Sequence, residues 1–127
     1  MGEKSKYYDL EDRTFTFAQD VRFLVGKMPK SIVFVEDSKQ VVRSSGSVGA
    51  NYIEANEALG RKDFAMRIRI CRKEAKESAY WLRMFVLANN QGLADERDRL
   101  VAEAKELTSI FGAILKKCQP SNLEFRI

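Results

Sequence analysis

The chain has 127 residues, with 22 Lys and Arg against 18 Asp and Glu, a formal net charge of +4 and a sequence pI of about 9.1. The 45% of apolar residues excludes disordered and collagen-like proteins, and no apolar run approaches the roughly 18 residues of a membrane span. The absence of histidine excludes His-based acid–base catalysis, Ser–His and Cys–His nucleophile pairs and most zinc sites. We therefore expect a non-enzymatic protein with no catalytic residues, metal, cofactor or small-molecule substrate.

The N-terminal segment is polar and contains no apolar stretch of the kind found in a secretory signal. We therefore expect a cytoplasmic protein with no membrane association. The two cysteines, Cys71 and Cys118, fall on apolar helical stripes, and the cytosol is reducing. Both are interpreted as small buried hydrophobic residues.

Apolar residues recur at spacings of three and four in four successive windows, which predicts four amphipathic helices. The first helix is predicted over residues 10–27, with Phe17 and Val21 on its apolar face. Phe15 and Phe23 are expected to widen that face.

The second helix is predicted over residues 31–59, with Ser31 as its N-cap. Val41, Val48 and Leu59 belong to its apolar stripe, and the glycine after residue 59 ends the helix. Two glycines occur between Val41 and Leu59, which is unusual in the middle of a helix.

The third and fourth helices are predicted over residues 62–89 and 94–118. Their apolar stripes include Ile68, Leu82 and Leu107. The predicted connections are short, and short connections place neighbouring helices antiparallel. The sequence therefore predicts an all-α protein, a single up-down antiparallel four-helix-bundle domain over residues 1–127.

The run Arg43–Ala55 is unusual for a helix because it holds two glycines, three serines and an asparagine. It resembles the signature of the bacterial four-helix-bundle proteins encoded in intervening sequences of 23S ribosomal RNA genes, which have Arg-Ser near the start and Asn-x-x-Glu near the end. The segments Tyr8–Leu10, Asp63–Phe64 and Lys76–Leu82 are also similar to that family. The resemblance covers roughly Tyr8–Leu115.

The resemblance implies a homo-oligomer, with a pentamer favoured, and a biochemistry that is poorly known for the family as a whole. It also implies a fold related to the accessory proteins of diversity-generating retroelements, which bind a reverse transcriptase and RNA. The implied partners are therefore further copies of the chain, RNA or DNA, and a reverse transcriptase or another protein. The resemblance implies no catalytic residues.

A polar face of the second helix lies opposite its apolar stripe. Gly46 and Gly49 lie beside it, and a glycine within a helix costs about 1 kcal/mol relative to alanine. That cost is justified where another backbone must approach closely, so we predict that this face packs against a helix, within the protomer or across a subunit boundary. The alternative is a solvated face. The predicted contact residues are Arg43, Ser47, Ala50, Asn51 and Glu54.

The third helix carries a second stripe beside its apolar one, formed by Ile70, Glu74, Glu77 and Trp81. Two buried faces on one helix indicate assembly, so this stripe is predicted as a helix-packing or oligomer interface with Arg43 opposite Glu77. The alternative is that the tryptophan belongs simply to the core.

A basic face lies on the same helix, and cations without an interleaved acid repel one another unless an anion is near. We predict that this face binds RNA or DNA through phosphate contacts; a merely solvated face is the alternative. The leading hypothesis is a homo-oligomeric scaffold that binds RNA, against a purely protein-binding or structural oligomer. The predicted nucleic-acid-binding residues are Lys62, Arg69, Arg72, Lys73, Lys76 and Arg83.

Overall fold

The computed structural model describes residues 9–118, and this part of the chain consists of four α-helices and no strand. The predicted all-α class is therefore confirmed for the described residues. Tyr8, which carries part of the family resemblance, and both ends of the domain predicted over residues 1–127 lie outside them. The helices are α1 Leu10–Gly26, α2 Ile32–Asn56, α3 Arg61–Met84 and α4 Gln91–Cys118.

Each helix packs against its neighbours in the chain, and α1 also contacts α4. Helices α2 and α3 run in opposite directions. Arg43 contacts Glu74, whereas Asn51, which is later in α2, contacts Arg67, which is earlier in α3. Neighbouring helices are therefore antiparallel, as the short connections predicted. The arrangement is consistent with a four-helix bundle.

The core runs along the centre of this arrangement and receives side chains from all four helices. Full burial of one large apolar side chain contributes about 1.5–3 kcal/mol, so the apolar stripes stabilise the helices mainly through packing. The largest fully buried side chains are Phe17, Phe85, Phe111, Leu10, Leu24, Ile68, Leu82, Leu100, Leu107, Val21, Val41 and Val48.

The third helix ends at Met84, five residues before the predicted residue 89. Phe85 adopts an extended backbone with φ −68° and ψ 116°, which turns its ring into the core, where it stacks on Phe34 with centroids 5.8 Å apart. Arg97 donates a hydrogen bond to the Phe85 carbonyl. The prediction was wrong here because the apolar run continues through the connection, which is itself buried at Leu87.

Two helix starts depend on capping side chains. Ser31 is the N-cap of α2 and accepts a hydrogen bond from the Phe34 amide at 3.5 Å, which confirms that prediction. Helix α4 begins at Gln91 rather than at residue 94, because the side-chain oxygen of Asn90 accepts from the Leu93 amide at 3.1 Å.

Three apolar side chains assigned to the core by periodicity lie on the surface instead. Phe15 and Phe23 are exposed because α1 covers the core with only a narrow stripe. Leu59 is fully exposed because α2 ends at Asn56 and not at residue 59. Helical spacing places residues on a common face but does not show how wide a face the neighbouring helices cover.

Helices α1 and α2 approach closely at Gly49. A Cβ atom at this position would lie 2.9 Å from Thr14 Oγ1, closer than side chains normally pack. Thr14 is fully buried, and its hydroxyl donates to the Leu10 carbonyl at 2.7 Å. The glycine predicted to mark a close approach is thus in contact with a neighbouring helix of the same chain.

Candidate nucleic-acid interface

The six predicted basic residues of α3 are all exposed on the outer side of that helix. Their spacing along α3 places them on one face, and Asp63 is outside it. Within residues 9–118, no carboxylate lies within 4.0 Å of any of the six cations. We call these residues, Lys62, Arg69, Arg72, Lys73, Lys76 and Arg83, the basic face.

Helix α4 extends the basic face with two lysines that sequence reasoning missed. Arg72 crosses over Gly112 of α4, where a Cβ atom would lie 3.7 Å from its Nε. Lys105 and Lys116 lie seven residues before and four residues after that glycine, so they share its side of α4, and both are exposed. Only the register between α3 and α4 brings them beside the basic face, so no sequence signal could have found them.

Tyr80 lies among the cations of the basic face and is half exposed. Its ring meets Trp81 edge to face, with centroids 5.1 Å apart and an interplanar angle of 82°. A single exposed ring offers little area for base stacking. The chemistry of this face is therefore dominated by its positive charge.

The polar face of α2 meets α3 at Arg43. Its guanidinium lies 3.4 Å from Glu74 Oε1 and 3.6 Å from Glu77 Oε1, so the predicted pairing with Glu77 is present within one chain. The Glu74 side chain is only 8% exposed, whereas those of Arg43 and Glu77 are well exposed. The buried partner is thus Glu74, which the sequence analysis placed on the same stripe but did not pair.

The rest of that polar face divides between two environments. Asn51 donates to the backbone oxygen and to the hydroxyl of Ser47, each at 3.0 Å, and accepts from Arg67 of α3 at 3.2 Å. This half of the face therefore packs on a helix of the same chain. Ala50 and Glu54 are exposed, and the structure brings neither of them against α3.

A hydroxyl pair also joins α2 and α3 and was missed by the sequence analysis. Ser44 and Ser78 are fully buried with their oxygens 2.8 Å apart, and Ser78 donates to the Glu74 carbonyl at 2.8 Å. Ser78 lies on the buried side of α3, four residues before Leu82. The signal that could have found the pair is the occurrence of serine at core positions of both helices, where a small polar side chain is satisfied only by a close partner.

The second stripe of α3 is only partly covered by the chain itself. Trp81 packs against the edge of the core, and Ile70 is half-buried. Both side chains lie near α2 on the outer side of α3, between the buried Glu74 and the basic face. The stripe therefore keeps exposed apolar surface.

The side of the molecule formed by α1 and α4 carries several ion pairs. Arg13 donates to Glu103 through two nitrogens and to Glu106 through one, all at 2.8 Å. The hydrogen bond with Glu103 is the main reason that the pKa of Arg13 lies above its usual range. The other pairs here are Lys27 with Glu96 and Arg99 with Asp20, each at 3.2 Å.

The thiol, the acidic side chains and the helices of residues 9–118 were compared with the requirements of three further kinds of site. Cys71 is buried, and burial raises the pKa of its thiol to about 12, so it is protonated at neutral pH. No group of three or more Cys, Asp and Glu side chains in this range is arranged to hold a metal ion. In the same range, no helix is long and apolar enough to cross a membrane.

Comparisons with known proteins identify a protein family and related solved structures. The family model described as 23S rRNA-intervening sequence protein matches residues 7–113. A crystal structure from Bacteroides thetaiotaomicron VPI-5482, described as a protein with unknown function from the S23 ribosomal protein family, is 29% identical, covers 84% of this chain and 97% of its own, and gives a TM-score of 0.68. No curated protein matches. The resemblance found in the sequence is thereby confirmed.

Proposed function

The chain belongs to the 23S rRNA-intervening sequence protein family, and from that premise we propose that it is a non-enzymatic, homo-oligomeric scaffold that binds RNA through the basic face. The resemblance implies a fold related to accessory proteins that bind RNA, which favours RNA over DNA as the ligand. The resemblance favours a pentamer as the assembled form. A ring of copies would repeat the basic face and multiply its field.

The observation that carries this proposal is the unpaired state of the basic face. Six exposed cations share one face without a carboxylate within 4.0 Å in residues 9–118, so their mutual repulsion is not relieved inside the described chain. A phosphate backbone supplies the missing negative charge and releases its counterions on binding. The face is therefore suited to a polyanion.

The length of the basic face indicates the kind of RNA. From Lys62 to Arg83, at a rise of 1.5 Å per residue, the face is about 30 Å long, close to one turn of a nucleic-acid duplex. The face lies on a single helix, and the exposed ring among its cations is that of Tyr80. Duplex RNA, bound through its backbone with little sequence preference, fits these features better than unpaired bases.

The test is fluorescence anisotropy with a labelled RNA duplex of about 20 base pairs in about 50–300 mM KCl. The logarithm of affinity should fall linearly with the logarithm of salt concentration, with a slope of several units. The variant Arg69→Glu/Lys76→Glu should lose about 100-fold in affinity at about 100 mM salt and show a flatter slope. Both side chains point away from the core, so circular dichroism should be unchanged.

The matched control is Lys27→Glu/Arg99→Glu, which changes the net charge equally but acts on two ion-paired cations of the α1 and α4 side. Its RNA affinity should stay within about threefold of the original protein. Equal losses in the two variants would mean that net charge alone matters and that the basic face is not the site. No binding at about 50 mM salt would favour the purely protein-binding oligomer.

A further inference from the structure

An exposed apolar groove runs between α1 and α2, on the side of the bundle opposite α3 and α4. Its floor consists of small residues, and two large apolar side chains at its edges are 65% and 50% exposed. Large apolar side chains that are exposed together along a concave surface make this groove a candidate interaction site. The residues that define the groove are Phe15, Ala18, Gly46, Gly49, Ala50 and Ile53.

A second apolar surface lies on the outer side of α3 near α2. Its four residues, Met66, Ile70, Trp81 and Met84, fall on one side of the helix. The two methionines are exposed, and the other two side chains are half-buried. We call these four residues the α3 stripe. It shares Ile70 and Trp81 with the second stripe predicted from the sequence and does not include Glu74 and Glu77.

Contacts within the chain show which residues of the groove and of the α3 stripe are level along the bundle. Asn51 meets Arg67, and Ser44 meets Ser78, so α2 and α3 are paired in a defined antiparallel register. A further concavity continues the groove along α2 towards its N-terminal end. When this register is extended along both helices, three pairs of apolar residues lie at the same height along the bundle axis, and we call them the level pairs. They are Ile53 with Met66, Gly49 with Ile70, and Val35 with Met84.

We propose that a second copy of this chain occupies the groove, with the α3 stripe of one copy packed into the α1 and α2 groove of the next. This inference rests on the homo-oligomer proposed above and names its two contact surfaces. Rotation about a symmetry axis adds no shift along that axis. When the helices run along the axis, the level pairs therefore meet across the interface, and apolar side chains pack against apolar ones or against the glycine floor.

The charges of the two surfaces are complementary. Arg22 borders the groove beside Gly46, and within residues 9–118 no carboxylate lies within 4.0 Å of its guanidinium. Next to the α3 stripe, Glu74 and Glu77 share the single cation Arg43, which leaves one negative charge unmatched. The same register places Arg22 at the level of this cluster, so one copy supplies the cation that the next copy lacks.

The positions of the two surfaces explain how such an assembly closes. They lie on adjacent sides of the bundle that meet at α2, about 90° apart for four helices arranged in a square. Head-to-tail contact between surfaces at this angle closes a ring of about four or five copies, whereas surfaces on opposite sides would produce an open filament. Helix α2 then lies nearest the ring axis. The basic face points outward, where RNA can reach it.

The experiment uses one blocking substitution on each surface. Ala50→Arg fills the groove, and Met66→Glu places a charge on the α3 stripe; both residues are exposed, so circular dichroism should be unchanged. Light scattering at about 20 µM should show the original protein as an oligomer and each variant as a 14.6 kDa monomer. Mixing the two variants should give a heterodimer of twice the protomer mass, because one intact groove and one intact α3 stripe remain.

The control is Leu59→Glu, at a fully exposed apolar position in the connection between α2 and α3, which should leave assembly unchanged. An oligomer that persists in Ala50→Arg and Met66→Glu would overturn the assignment of surfaces and leave the proposed oligomer standing. A mixture that stays monomeric would overturn the head-to-tail arrangement. A monomeric original protein would overturn both the interface and the proposed oligomer, whereas RNA plays no part in these measurements and is tested separately.

Discussion

The α1 and α4 side and the basic face of α3 contain the same kinds of charged residue in opposite states. On the first side, Arg13 binds two carboxylates, and Lys27 and Arg99 each have one carboxylate partner. On the basic face, six cations have none within 4.0 Å in residues 9–118. The difference shows that a net charge of +4 is uninformative by itself. The distribution of paired and unpaired charges is what distinguishes the proposed binding face from the rest of the surface.

The largest effect is expected from breaking the best-paired group. Arg13→Met removes the cation that binds Glu103, and since the Arg13 and Glu103 side chains are mostly buried, we expect a loss of about 1–3 kcal/mol in the free energy of unfolding. Urea denaturation measures it. Arg69→Met, the matched substitution on the basic face, should stay within about 0.5 kcal/mol. Equal losses in Arg13→Met and Arg69→Met would contradict the difference in ion pairing between the two sides.

An intermediate effect is expected at Arg43, because its own side chain is exposed but one of its two carboxylate partners is buried. Arg43→Ala should reduce the free energy of unfolding by about 1–2 kcal/mol, because the buried Glu74 loses its cation. Glu77→Ala should reduce it by about 0.5 kcal/mol or less, since Glu77 is exposed. Adding Glu74→Gln to Arg43→Ala should recover part of the loss in the same denaturation assay. No recovery would show that the cost arises elsewhere.

The smallest effect should have opposite signs on the two sides of the molecule. Arg69→Gln/Lys76→Gln removes unrelieved repulsion and should raise the free energy of unfolding by about 0.3 kcal/mol at low salt. Lys27→Gln/Arg99→Gln removes two ion pairs and should lower it by a similar amount, about 0.3–0.5 kcal/mol. Thermal denaturation in about 20 mM and 500 mM NaCl should show both effects shrinking with salt. If the free energy of unfolding changed with the same sign in both variants, repulsion among the cations of the basic face would not be significant.

The number of helices and the residues at their centres were predictable because helical periodicity is a local property. Phe17, Val41 and Leu82 were assigned to the core from spacing alone and are buried. Helix ends were less predictable. The extended backbone at Phe85 depends on stacking with Phe34, a residue about fifty positions away in the sequence, and no local signal records that contact.

The α3 residues of the candidate site were predictable from the sequence, but the contribution of α4 was not. The basic face of α3 follows from the spacing of residues within one helix, which the sequence states directly. Lys105 and Lys116 join it only because the register between α3 and α4 places Arg72 next to Gly112. The pairing of Arg43 with Glu77 was anticipated, but the buried carboxylate beside it was not.

The sequence by itself determined the family, the all-α class, the four apolar stripes and the cationic face, because each of these depends on residue type and spacing along one segment. Only the tertiary structure decided the register between helices. That register buries Glu74 beside Arg43, joins Ser44 to Ser78, and leaves the groove between α1 and α2 open beside Gly49. The physical reason is that ion pairs, hydrogen bonds and close packing depend on distances between segments that are remote in sequence, and these distances are set only when the whole core packs.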